Sequence, residues 1–159
     1  MRPNQRPLWK CPKCGERFVT TNIWHSCGRF SLQQLFSRSD PNVRRVLRKL
    51  TKTVRACGPV RIIPQKTRLV FTTRVRFLAV YPRKHALELG IELPERDPHP
   101  RFHKIESYTK RMHGHYLRID DESQLDAQLR QWLRRSYRLG EQRPPRNSPA
   151  KKFKRASPR

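Results

Sequence analysis

Residues 68–93 read RLVFTTRVRFLAVYPRKHALELGIEL, and their period of two decides the fold. Leu69 and Phe71 alternate with Arg68 and Val70. Val75, Phe77, Ala79 and Tyr81 form a second set, broken by Pro82. Leu87, Leu89, Ile91 and Leu93 form a third, alternating with Glu88, Gly90 and Glu92. Successive side chains of a strand point to opposite faces, so each set marks one face of a half-buried strand. Thr73-Arg74 and Arg83-Lys84 fit tight turns between neighbours, which predicts a mostly antiparallel meander. The stretches 101–108 and 112–119 supply two more strands, separated from the third set by the proline-rich loop PERDPHP at 94–100.

Helical spacing brackets this β region. Ser31 with Gln34 three residues on makes a capping box, and Phe30 with Leu35 a hydrophobic staple, for a short helix over 30–38. Asp40-Pro41 opens a second helix as an N-cap followed by proline in the first turn. Val43, Val46, Leu47, Leu50 and Val54 recur as one apolar stripe, and Gly58 stops the helix. A last helix spans 123–139, with Ser123 as its cap and Leu125, Leu129, Trp132, Leu133 and Tyr137 on one face. The fold class is therefore α+β: two N-terminal helices, an antiparallel meander and a C-terminal helix.

Ahead of this body stands WKCPKCGERFVTTNIWHSCG, residues 9–28. Cys11-Pro12-Lys13-Cys14-Gly15 has the form of a metal knuckle, with Pro12 fixing one φ and Gly15 free to take a positive φ in the tight turn. His25-Ser26-Cys27 fits the second half of a cage. Cys11, Cys14, His25 and Cys27 would hold one structural Zn²⁺ with no open position, a small zinc-ribbon-like head. Cys57 is the alternative to His25 as fourth ligand. A disulfide is disfavoured, because nothing in the chain suggests secretion. Trp9 and Trp24 are expected to seat the head on its neighbour by packing, base stacking being the other use of such rings.

Composition then bounds the partner. The 159 residues hold 37 Lys and Arg against 12 Asp and Glu, a formal charge of +25. The segment 141–159, EQRPPRNSPAKKFKRASPR, holds seven basic residues and one acid. Removing its net +6 from +25 leaves +19 on residues 1–140, so the excess is not confined to the tail. Four prolines and no apolar period predict a disordered tail, and residues 1–8 a short basic arm, on either side of the head (9–28) and an α/β core domain (29–140). A surplus of this size is relieved by a polyanion, and nucleic acid, DNA or RNA, is the expected partner. No apolar run approaches the length of a membrane span and the first ten residues lack a signal-peptide core, so no membrane contact and a cytoplasmic location are expected.

The order CPKCGERFVT…WHSCG, GPVRIIPQKTRLVF, VRFLAVYPRK and LDAQLRQWLRRSYRLG resembles domain-of-unknown-function family 5655 over residues 9–140. The resemblance implies bacterial relatives, often with a zinc-ribbon-like head, and the same α-α-β-α order. It implies no activity.

The favoured reading is a non-enzymatic protein that binds nucleic acid by its cations. Candidate contacts are Arg44, Arg45 and Arg48 on the second helix, Lys66, Arg68, Arg74, Arg76, Lys110 and Arg111 in the β region, and Lys151, Lys152, Lys154 and Arg155 in the tail. A second reading is a small enzyme or anion-binding domain on the sheet face near Lys66, Arg68, His113 and His115. A third is an adaptor that docks through the zinc head. Defined catalytic patterns are missing: no H-x-E precedes P-C-x-x-C, there is no G-x-S-x-G, and no carboxylates converge for a nuclease.

Overall fold

The computed structural model of the chain describes residues 6–142. Two antiparallel strands, β1 (Trp9–Lys10) and β2 (Arg17–Phe18), form the head. Helices α1 (Leu32–Leu35) and α2 (Pro41–Arg55) follow. Six strands then make one antiparallel sheet: β3 (Arg61–Pro64), β4 (Leu69–Thr72), β5 (Arg76–Pro82), β6 (Leu87–Leu93), β7 (Lys104–Thr109) and β8 (Met112–Ile119). A 3₁₀ turn at Glu122–Gln124 leads into α3 (Ala127–Gly140). The fold is thus α+β, with three α-helices among the described residues.

The predicted stripes form the core. Val43, Val46, Leu47, Leu50 and Val54 of α2 are buried, as are Leu129, Trp132, Leu133 and Tyr137 of α3. They cover Leu69, Phe71, Leu78, Val80, Leu89, Ile91 and Leu117 on one face of the sheet. The Ser31–Gln34 capping box closes α1, which is a single turn. Asp40 occupies the N-cap position of α2 without a side-chain cap bond; its carboxylate meets His85 Nδ1 at 2.6 Å. The cap of α3 is Asp126, not Ser123, and accepts from Leu129 N–H. Asp121 caps the preceding 3₁₀ turn through Ser123 N–H, so the predicted start of the last helix moves to Ala127.

Two departures concern the sheet. Its order is β3-β4-β5-β6-β8-β7, so the meander breaks after β6. The loop 94–103 carries the chain past β8 to the edge strand β7, which then turns back. Burial explains the order: β8 has Leu117 and Ile119 to bury, whereas β7, KIESYT, has no fully buried residue and suits an edge.

The second departure is a bulge. Phe71 faces Leu78 while Thr72 faces Arg76, which leaves Phe77 as the extra residue. Phe77 joins Leu78 in the core, its carbonyl taken by the buried Ser136 hydroxyl. Ala79 and Tyr81, expected on the same face as Phe77, lie on the other side of the sheet, as does Arg76. A second shift makes Tyr108 of β7 an extra residue.

The proline-rich loop is pinned by polar groups against α3 and β8. Asp97 N–H donates to His115 Nε2 at 2.9 Å, and His115 Nδ1 donates to the His113 carbonyl at 3.0 Å. Trp132 Nε1 donates to Asp97 Oδ2 at 2.9 Å. His115 is fully buried and used as a neutral ring, one nitrogen accepting and one donating. Burial pushes its pKa below the usual histidine value, with the Asp97 and His113 contacts acting in the opposite direction. An unfolded chain takes up a proton near pH 6.5 that the folded ring resists. The unfolded state then binds more protons, so His115 contributes stability above about pH 6.5 that is lost progressively below it. Urea midpoints measured between neutral and mildly acidic pH should fall, and His115→Gln should flatten that decline. An unchanged pH profile in the variant would remove His115 from this role.

Candidate metal centre and basic surfaces

The first knuckle is a tight turn. Gly15 takes φ +74°, its N–H donates to the Cys11 carbonyl at 2.9 Å, and Cys11 N–H donates to the Glu16 carbonyl at 2.8 Å. The positive φ expected of Gly15 is therefore in use. Residues 23–27 are irregular rather than a strand, and still turn His25 and Cys27 to the knuckle. Cys11 Sγ lies 3.6 Å from Cys27 Sγ, and Cys14 Sγ 3.2 Å from His25 Nε2. All four donor atoms fall within 4.8 Å of one another, so Cys11, Cys14, His25 and Cys27 could hold one metal ion.

The surroundings orient the donors. His25 Nδ1 donates to the Ile23 carbonyl at 2.8 Å, which leaves Nε2 with its lone pair toward the thiols. Trp9 and Phe18, paired across β1 and β2, pack around the imidazole with centroids 6.2 and 4.4 Å away. The backbone N–H of Cys14 leads the effects that bring the Cys11 thiol down to about 6. Desolvation, with the neighbouring thiols behind it, pushes Cys27 up to about 11. Crowded thiols cannot all ionise without a counter-charge, which a metal dication supplies.

Cys57 is not part of the cluster. It packs against the core near the end of α2, with its thiol toward the Thr53 carbonyl. Its candidacy as the fourth ligand is thereby overturned. Trp24 is also corrected: the ring is 90 % exposed, with Val19 at 57 % and Ile23 at 41 % beside it in the chain, while Trp9 packs within the head, on Phe18 and His25. The head meets the sheet through Arg61 and Glu16, 3.5 Å apart.

The basic residues fall into three groups. On α2, Arg44, Arg45, Arg48, Lys49, Lys52 and Arg55 are exposed; on α3, so are Arg130, Arg134 and Arg138, each one turn from the next. Neither helix contains an Asp or Glu. Arg45 and Lys49 reach Glu122 at 3.7 and 3.6 Å, and Arg44 donates to the Phe36 carbonyl. The second group is engaged within the fold. Arg76 grips the buried Glu92 at 2.7 Å, Arg68 donates to Gln65 and Tyr81, and Arg74 to Gln142 and the Arg6 carbonyl. The third group, Lys66 with Lys110 and Arg111, is exposed in hairpin turns at opposite edges of the sheet. Lys151, Lys152, Lys154 and Arg155 lie outside the described residues, as does nearly all of the tail.

The site suggested by Lys66, Arg68, His113 and His115 does not form. His113 and His115 are buried on the helix-covered side, whereas Arg68 bonds Tyr81 on the opposite side. Arg68, Tyr81, Tyr108 and Tyr116, singled out in the sequence as cations and rings interleaved along the strands, meet there instead; Glu92 and the convergence itself were not legible, because the set comes from five strands and their turns and no local spacing unites it.

Fold and site thus define an α+β protein with a metal-capable Cys₃His head and two acid-free helices over one sheet face. A family model, Domain of unknown function (DUF5655), matches residues 33–140. The chain belongs to that family, and the match begins after the metal cluster rather than including it. No curated protein and no solved structure matches the chain. Among the described residues no helix is long and apolar enough to cross a membrane.

If the four residues form the metal site, His25→Ala and Cys27→Ser each lose the metal that the native chain retains through gel filtration. Cys57→Ala keeps it. Elemental analysis per chain checks this; metal lost from Cys57→Ala alone would refute the assignment.

Proposed function

We propose that the chain is a zinc-braced, non-enzymatic protein that binds nucleic acid through its helical layer. The observation that carries this reading is the acid-free composition of α2 and α3. Together they hold Arg44, Arg45, Arg48, Lys49, Lys52, Arg55, Arg130, Arg134, Arg135 and Arg138 and no carboxylate. All of the 12 acids lie elsewhere in the chain. A solvated helix ordinarily interleaves both signs, because i,i+4 pairs of opposite charge stabilise it and like charges do not. Segregation of this kind is costly to an isolated protein and is relieved when phosphates replace the missing acids. Binding then releases counterions and reads sequence weakly. The basic tail with Lys151, Lys152, Lys154 and Arg155, and the turn residues Lys66, Lys110 and Arg111, add charge to the same partner.

Zinc suits the donor set. Tetrahedral Zn²⁺ with Zn–S of about 2.3 Å and Zn–N of about 2.0–2.1 Å has donor–donor edges of about 3.5–3.8 Å. The Cys11–Cys27 and Cys14–His25 separations of 3.6 and 3.2 Å support that fit. Three thiolates and one imidazole leave no open position, so the ion's role is structural. A second reading has one specific support: the exposed Trp24, Val19 and Ile23 fit an adaptor that docks another protein through the head.

The test is the salt dependence of duplex binding. Log affinity should fall linearly with log salt, and Arg130→Gln, Arg134→Gln and Arg138→Gln together should shallow the slope by about one unit per arginine removed. Trp24→Ala should leave it unchanged. Affinity indifferent to salt, or a slope unmoved by the triple variant, would overturn the reading.

A further inference from the structure

Both helices lie on one side of the sheet; no described element covers the other. That uncovered face is not a plain polar surface. Its middle row is small: Val70 faces Ala79, Ala79 faces Gly90, and Gly90 faces Tyr116. The glycines are where rings lie down. A Cβ on Gly90 would stand 3.1 Å from Cε1 of Tyr116, and one on Gly114 would stand 2.7 Å from Oη and 3.0 Å from Cε2 of Tyr108. Each ring therefore rests against the backbone of the sheet, Tyr108 exposed and Tyr116 half-buried. Tyr108 shares this face with Lys104 and Glu106 by alternation along β7. The phenols are bound to each other at 2.7 Å, and both to Glu106, which fixes the rings without ordering by a ligand.

A cation lies over each of two rings. Lys104 Nζ is 5.2 Å from the centroid of Tyr116, and the Arg68 guanidinium 5.9 Å from that of Tyr81. The acids of this face are engaged: Glu88 by Arg83 and His103, Glu106 by Lys104, and Glu92 through one oxygen by Arg76. Glu92, a residue 5 % exposed, lines the cleft, and its second oxygen has no partner among the described residues. The cleft itself is about 20 Å³, room for a water rather than a metabolite. A ligand must lie across the rings.

We infer that the uncovered sheet face, at Tyr81, Tyr108 and Tyr116, is a stacking platform for the bases of single-stranded nucleic acid. Lys104 and Arg68, which lie over Tyr116 and Tyr81, would turn to its phosphates as bases take their place on the rings. Rings fixed on a sheet beside cations suit a partner with a free π-face and a negative backbone. A duplex has no free base faces, so this surface discriminates where the helical layer does not. The inference rests on the polyanion reading above and adds strand type to it.

The test uses the full metal-loaded chain and fluorescence anisotropy with oligo-dT, oligo-U and a duplex of equal length. Tyr108 is 46 % exposed, so Tyr108→Ala should fold as the native chain does. It should weaken binding of both single strands about 5- to 100-fold and leave the duplex unchanged. Tyr108→Phe should restore it, because the ring does the stacking. A larger loss on oligo-U than on oligo-dT assigns the face to RNA. Equal losses on strand and duplex, or no loss on either, would overturn the platform while leaving the helical surface standing. A native chain that binds none of the three probes would overturn both.

Discussion

Burial of a single sheet face beneath two helices is the constraint from which the other features follow. Leu50 and Val54 of α2, Trp132 and Leu133 of α3, and Phe71, Leu78, Leu89 and Leu117 of the sheet are almost entirely withdrawn from water. Each fully buried side chain of this kind contributes about 1.5–3 kcal/mol. Once the apolar stripes are committed inward, everything else on α2 and α3 must face solvent. In this chain what remains is nearly all arginine, lysine and amide. The opposite sheet face, left without a helix, is sealed by its own side chains. Arg76 and the tyrosines lie over Ala79, Gly90, Glu92 and Gly114 and bury them. Two chemically different surfaces thus result from one asymmetric packing decision.

The head follows another logic. Among its described residues only Cys11 is buried, and its ring contacts are limited to Trp9, Phe18 and His25. So few contacts cannot offset the conformational entropy of ordering about twenty residues. Cys11, Cys14, His25 and Cys27 could hold a metal ion, which would supply what a core of that size cannot. The family match begins at residue 33, so the helices and sheet carry the family's shape without the cluster.

Much of this was legible in the sequence, for local reasons. Val43, Val46, Leu47, Leu50 and Val54 repeat at helical spacing, and burial took the stripe as written. Leu87, Leu89, Ile91 and Leu93 did the same at a period of two. The four donors of the head could be found because two knuckles carry them. What escaped was non-local. The place of β8 between β6 and β7 depends on which strand has apolar residues to bury, not on chain order. The extra residue at Phe77 reversed the side on which Tyr81 lies, because a single bulge changes the phase of alternation. Trp24 is expected to pack as a ring that seats a small zinc module, yet it is 90 % exposed, and the rings around His25 are Trp9 and Phe18. His113 and His115 looked like a candidate pair on one strand face; both are buried, His115 against Phe102 and the Asp97 N–H and His113 on the Ser107 hydroxyl.

The central claim is that the helical layer leads the contact with the polyanion, the turns adding charge and the head standing apart. Lysine acylation footprinting of the full chain, with and without duplex nucleic acid, examines this residue by residue. Lys49 and Lys52 of α2 should lose reactivity in the complex, while Lys13 of the head, exposed in the free chain, keeps it. Protection confined to Lys13, or spread evenly over every lysine, would contradict the account.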